Sequence, residues 1–206
     1  PIIFKDWILS LFVFPCYNFF MLNNLSNYFL KNRKRSALIF SSLVFFFFSL
    51  CFLPGQTRLA NTYSSGLGAP DAHFLYTPAD LYRMAEVYGR EGRTAYVKAR
   101  WTFDLAFPII YTSFLTIALS WFEERVLPVG SEWRTANVLP LFAMLFDLLE
   151  NSCTTLVFIH YPAPSTLFCM AAPFFTLVKW VCVGSSFLLL VLFMIGSLFV
   201  RHLENH

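Results

Sequence analysis

Asp147, Glu150 and Asn151 carry the polar chemistry of an otherwise apolar run from Ala136 to Ile159. Spacings of three and four residues put all three on one helical face. Two carboxylic acids and an amide near mid-membrane depth are expensive, so that face must turn toward other helices rather than lipid. The expected answering groups lie in two further apolar runs, Asp104 and Tyr111 in one and Lys179 in the other. At about 1.5 Å of rise per residue, Asp104 lies about one turn below the outer face, Lys179 about 10 Å, Glu150 about 15 Å and Asp147 about 20 Å. The four-carbon stem of Lys179 then reaches Glu150 or Asp104. Three carboxylates facing one lysine leave at least one acid protonated or answered by a further partner.

Two chemistries fit such a cluster. One is an interhelical clasp that fixes which helices meet and in what register. The other is a site where Asp147 and Glu150 carry protons or orient a substrate in an outward-opening cavity. Other chemistries are set aside. His73, His160, His202 and His206 fall outside the mid-membrane, which argues against haem ligation, and no phosphate-cradling glycine loop, nucleophile elbow or zinc-protease motif is present. Cys16, Cys51, Cys153, Cys169 and Cys182 form no C-x-x-C pair and no zinc-site spacing, so no metal and no cofactor is expected. Cys51 and Cys169 lie near the same expected membrane face, where a bridge between them is conceivable. Ser41, Ser42, Ser185 and Ser186 have no histidine at depth; Gly184 and Ser185 read as small packing residues.

The elements that must hold these groups follow from composition. With 57% apolar and 19% aromatic side chains, 13% charged residues and 26 phenylalanines in 206 residues, the chain reads as an integral membrane protein. Residues 1–35 form one unit. Within it Trp7 to Leu22 is apolar but interrupted by Pro15 and Asn18, which favours an interfacial or re-entrant helix over a true span, and no small-residue cleavage site of a signal peptide is seen. The cluster Lys31, Arg33, Lys34 and Arg35 reads as a topology signal rather than a nucleic-acid surface, placing the start of the next span in the cytoplasm.

Residues 36–206 form the second unit, a bundle of four spans. The first runs from Ser36 to Leu53, with Phe45 to Phe48, and stops at Pro54-Gly55. Residues 56–100 are a polar outer segment. Asn61 to Pro70 reads as loop, and a helix follows with Thr77 as N-cap, Pro78 at its first position, Asp80 in its first turn and Gly89 as its stop. Leu81, Met84, Ala85 and Tyr88 form its apolar face, which reads as a packed cap in preference to a lid. From Glu91 the helical pattern runs without a break into the second span, Thr102 to Phe122, where Asp104, Pro108 and Tyr111 share a face and Pro108 is placed to free a carbonyl. Glu123 to Asn137 reads as a polar connection. The fourth span starts near Pro173 and reaches Val200, and Arg201 and His202 mark a cytoplasmic C-terminal end.

The ordered set Thr77-Pro78, Tyr88-Gly89 with Gly92-Arg93, Asp104 with Pro108 and Tyr111, Leu139-Pro140, Asp147, Glu150-Asn151, Tyr161-Pro162 and Lys179-Trp180 resembles a family of bacterial four-span integral membrane proteins of unknown function. The resemblance covers about Ser36 to Val200. It implies a four-span topology in a bacterial inner membrane and draws attention to the same polar residues, but it supplies no reaction. The expected fold is therefore all-α, a membrane four-helix bundle with an extra N-terminal membrane-associated helix and an extramembrane amphipathic helix. The expected partners are the lipid bilayer and other membrane protein subunits, with no nucleic acid. The favoured function is a non-catalytic accessory subunit of a larger membrane complex, its phenylalanine faces packing on partners and its polar cluster acting as a clasp. The alternative is a small-molecule or proton-handling protein, a transporter or an intramembrane enzyme, that uses the buried acids and lysine.

Overall fold

The computed structural model describes residues 21–163 and 165–204, and all of its regular structure there is helical. Most of the apolar stretch expected as an interfacial helix, with Cys16, lies outside the described residues, as does His206. Helix α1 covers 21–32, α2 Arg35–Cys51, α3 Leu53–Ser64, α4 Pro78–Val87, α5 Gly89–Arg100, α6 Phe103–Val126, α7 Leu139–His160 and α8 Thr166–Glu204. Two 3-10 turns, Pro70–Ala72 and Glu132–Val138, sit between α3 and α4 and between α6 and α7. Among the described residues, four helical stretches are long and apolar enough to cross a membrane: Arg35–Ser64, Gly89–Val126, Trp133–His160 and Thr166–Leu203. They make this a membrane protein with an all-α fold.

α7 and α8 share the most extensive interface, α6 packs on both, and α2 leans on α6. The core has two parts. One, at the end of the bundle covered by α4, joins Leu81, Met84, Ala85 and Tyr88 to Tyr96, Val157, Phe158 and Ala172. The other joins Leu115, Ala118 and Leu119 of α6 to Ala143 of α7 and to Leu190 and Phe193 of α8. α4 is thus a packed cap on α7 and α8. Its start is at the expected N-cap, Thr77, where the structure adds a capping box: Asp80 N–H donates to Thr77 Oγ1 and Thr77 N–H donates to Asp80 Oδ2. Its end is Gly89 at φ 61°, a left-handed position that suits glycine.

The phenylalanine block divides by face. Phe46 and Phe47 point outward, whereas Phe45 stacks on Phe114 with centroids 4.7 Å apart and Phe48 stacks on Phe103 at 5.1 Å.

Several expectations are corrected. Asn61 to Ser64 are helical, because Pro54 does not end the helix but lies in the first turn of α3, two residues past a break at Phe52. The passage from α5 to α6 is broken at Trp101–Thr102, where Thr102 Oγ1 donates to the Lys98 carbonyl at 2.7 Å and stands in for a backbone donor. Cys51 and Cys169 are both free thiols, one exposed on the outside of α2 and the other buried under α4. Gly184 faces outward with nothing near it. The close helix approaches fall instead at Gly196, where a Cβ would meet Val126 at 3.0 Å, and at Gly92, where it would meet Tyr63 Cβ at 2.9 Å.

Candidate functional site

α7 delivers Asp147, Glu150 and Asn151 to one buried face, as their spacing requires. Lys179, on α8, donates from Nζ to Glu150 Oε2 and lies 3.5 Å from Asp147 Oδ1. Tyr111 Oη, on α6, donates to Asp147 Oδ2 at 3.1 Å. One cation therefore serves two acids, and of the two reaches open to Lys179 it takes Glu150. Glu150 Oε1 accepts no hydrogen bond among the described residues.

Asp104 is answered by a residue the sequence reading did not single out. Arg100, one helical turn earlier, holds its Nε 3.0 Å from Asp104 Oδ2. The same guanidinium reaches Asp71 through Nη1 at 2.9 Å and Nη2 at 3.0 Å, donates to Asn151 Oδ1 at 3.3 Å, and lies over the Tyr96 ring. Asn151 completes the set from its other end: its Nδ2 donates to the backbone carbonyl of Asp104 at 3.2 Å. That carbonyl is the one Pro108, four residues on and without an N–H, leaves open. The amide of α7 thus fills the gap made by the proline of α6.

Asp71 comes from the first 3-10 turn, outside the spans. Trp180 Nε1 donates to its backbone carbonyl at 3.0 Å and pins the turn to α8. Burial pushes the Asp71 carboxyl up, but Arg100, and after it Lys179, outweigh burial and hold it at about 2. Near it, Tyr76 Oη pairs with Thr176 Oγ1 at 3.0 Å, and Tyr88 Oη donates to the Gly68 carbonyl at 3.0 Å. Burial raises the Tyr88 phenol to about 12, so it remains a neutral donor.

These groups border a cavity of about 450 Å³. Asp71, Arg100, Asp104, Asp147 and Lys179 are in its lining. The lining also has an aromatic part, with Phe45 from α2, Phe103 and Phe107 from α6 and Phe187 from α8. The volume is that of a small-molecule site, and the pairing of charged with aromatic lining groups suits binding, orientation and proton exchange.

The sequence reading also placed Glu123 in a connection; it is instead inside α6, which extends to Val126, and it is fully buried. Its two carboxylate oxygens accept no hydrogen bond among the described residues. Asn137 Nδ2 donates to Ser120 Oγ at 2.9 Å and to the Ser26 carbonyl at 3.3 Å, so α1 and the second 3-10 turn cover this end. Buried Thr112, Thr116 and Ser120 join Asp104 and Tyr111 to Glu123 in a polar stripe along α6.

No family model, curated protein or solved structure matches this chain. Function is therefore argued from the cavity and its walls.

Proposed function

We propose that this is a small-molecule-handling membrane protein whose ligand occupies the cavity between α2–α3, α5–α6 and α8. The observation carrying this reading is the cavity itself, with five charged side chains and several phenyl rings in its lining. A clasp alone calls for paired groups in close packing, not for pairs set along open space. The buried acids would then orient the ligand or exchange protons with it. The outward faces of α2 and α8, rich in residues such as Phe40, Phe47, Leu188 and Phe199, suit lipid as well as protein neighbours. On the four-span resemblance the setting is a bacterial inner membrane. The basic group at Lys31 to Arg35 and the Arg201–His202 end support a reading in which the start of α2 and the end of α8 are cytoplasmic.

The test is native mass spectrometry of the protein extracted from its own membrane in mild detergent, beside Val183→Trp, which enlarges a side chain lining the cavity and obstructs it. A small-molecule mass present in the parent and absent from the variant supports the reading. A stoichiometric protein companion with no small-molecule mass overturns it in favour of the accessory-subunit reading.

A further inference from the structure

We infer that the ligand of this cavity is a lipophilic organic cation, an apolar body carrying a fixed positive charge that seats beside Asp104 and Asp147. This inference rests on the ligand reading above and names its chemistry. Four carboxylates, Asp71, Asp104, Asp147 and Glu150, meet two cations, Arg100 and Lys179. Each cation is already shared: Arg100 lies between Asp71 and Asp104, and Lys179 between Glu150 and Asp147. Among the described residues lining the cavity, no cation is left over to greet an anion. An anionic head group would have to break an existing pair and would add to an acid excess in a low-dielectric site. A neutral ligand would leave that excess as it stands. A cation corrects it, taking the place of the protons that otherwise neutralise the surplus acids.

The same cavity has the matching surface. Phe103, Phe107 and Tyr111 follow one another up a single face of α6, with ring centroids 5.7 Å apart at each step. Phe45 and Phe187, 6.1 Å apart, close the space from α2 and α8. Aromatic rings together with carboxylates are the pairing that recognises quaternary ammonium groups, which are large, weakly hydrated and without an N–H to donate. A cavity of about 450 Å³ accommodates such a head with an aryl or short alkyl body.

Three probes of similar shape and different charge decide the matter on the parent protein in nanodiscs: benzyltrimethylammonium, its neutral carbon isostere neopentylbenzene, and benzenesulfonate. Binding is read by equilibrium dialysis as the amount in excess of Val183→Trp, which removes partition into lipid. The expected result is at least tenfold tighter binding of the ammonium than of the isostere, no cavity binding of the sulfonate, and about tenfold weaker ammonium binding in Asp147→Asn. Equal binding of ammonium and isostere, or preference for the sulfonate, overturns the cation inference while leaving a ligand cavity in place. Absence of cavity binding by all three overturns the cation inference, and an empty cavity in the native mass experiment then removes the ligand reading as well. The comparison among probes uses the parent protein, so it stands even if Asp147→Asn does not fold.

Discussion

Asp71→Asn isolates the contact that ties the 3-10 turn over the cavity to the bundle. The substitution keeps the side-chain shape and removes the charge that Arg100 holds through two nitrogens at 2.9 and 3.0 Å. The Asp71 carboxyl is brought from its ordinary 3.8 to about 2, and the side chain is about 24% exposed, so solvent screening is limited. At about 1.4 kcal/mol per pKa unit the ionised form contributes about 2 kcal/mol to folding. For a chain of this length that corresponds to a melting temperature lower by about 4 to 8 °C in Asp71→Asn at neutral pH. The pH dependence has a definite sign. Because the folded-state value is depressed, the contribution is fully present above the ordinary value, fades as pH falls below about 4, and is gone below about 2. The difference between parent and variant should therefore be constant from pH 5 to 7 and close as pH falls through that window. Thermal unfolding in detergent, followed by tryptophan fluorescence across pH, reads both quantities. A variant that melts with the parent at pH 7, or a gap that persists unchanged at pH 2, would refute the reasoning.

Two further outcomes follow from the paired groups. Lys179→Met strands Glu150 and Asp147 without their shared cation and should cost about 3 to 5 kcal/mol, whereas Lys179→Met with Glu150→Gln should recover at least half of that loss; chemical or thermal unfolding of the three proteins measures it. Asn151→Leu removes the donor to the carbonyl that Pro108 leaves open and should cost about 1 to 3 kcal/mol. Pro108→Ala supplies a backbone N–H for the same carbonyl, so Asn151→Leu should cost about 1 kcal/mol less in that background, as a double-mutant cycle on unfolding would show.

Much of this arrangement is legible in the sequence where physics is local. Asp147, Glu150 and Asn151 share a face by helical period alone, and the short stretch from Thr77 to Asp80 writes its own capping box. Lys179 is an expected partner because a lysine at that depth has few others. Arg100 is a different case: it stands four residues before Asp104, a spacing open to inspection, yet its neighbours Lys98 and Trp101 mark the membrane boundary and make it look like an interfacial charge. Asp71 gives no local signal, since only the return of the turn onto α8, pinned by Trp180, brings it to Arg100. Glu123 is hidden for a related reason. Beside Glu124 and Arg125 it reads as part of a solvated run, and its burial depends on α1 and the second 3-10 turn folding back over it. The four-phenylalanine block carries no periodicity, so which rings face lipid and which stack on α6 is settled only by packing.

The shared lysine has a consequence for how the chain is made. The two outer stretches, Arg35–Ser64 and Thr166–Leu203, contain 18-residue windows of mean hydropathy 2.3 and 2.4, against 1.7 and 1.4 for the two between them. Each intramembrane Asp, Lys or Arg opposes insertion by about 2.5 to 3.5 kcal/mol at a helix centre. Glu150 emerges from the ribosome 29 residues ahead of Lys179, about 1.5 to 6 s at ordinary rates of synthesis. During that interval α7 presents its acids to the insertion machinery while the lysine that answers them has not yet emerged. Arg100 alone among the two cluster cations is already out, and it is turned toward Asp104 and Asn151. The last and most apolar helix therefore carries the charge that completes the one before it, and the polar pair α6–α7 has its full set of partners only once α8 arrives.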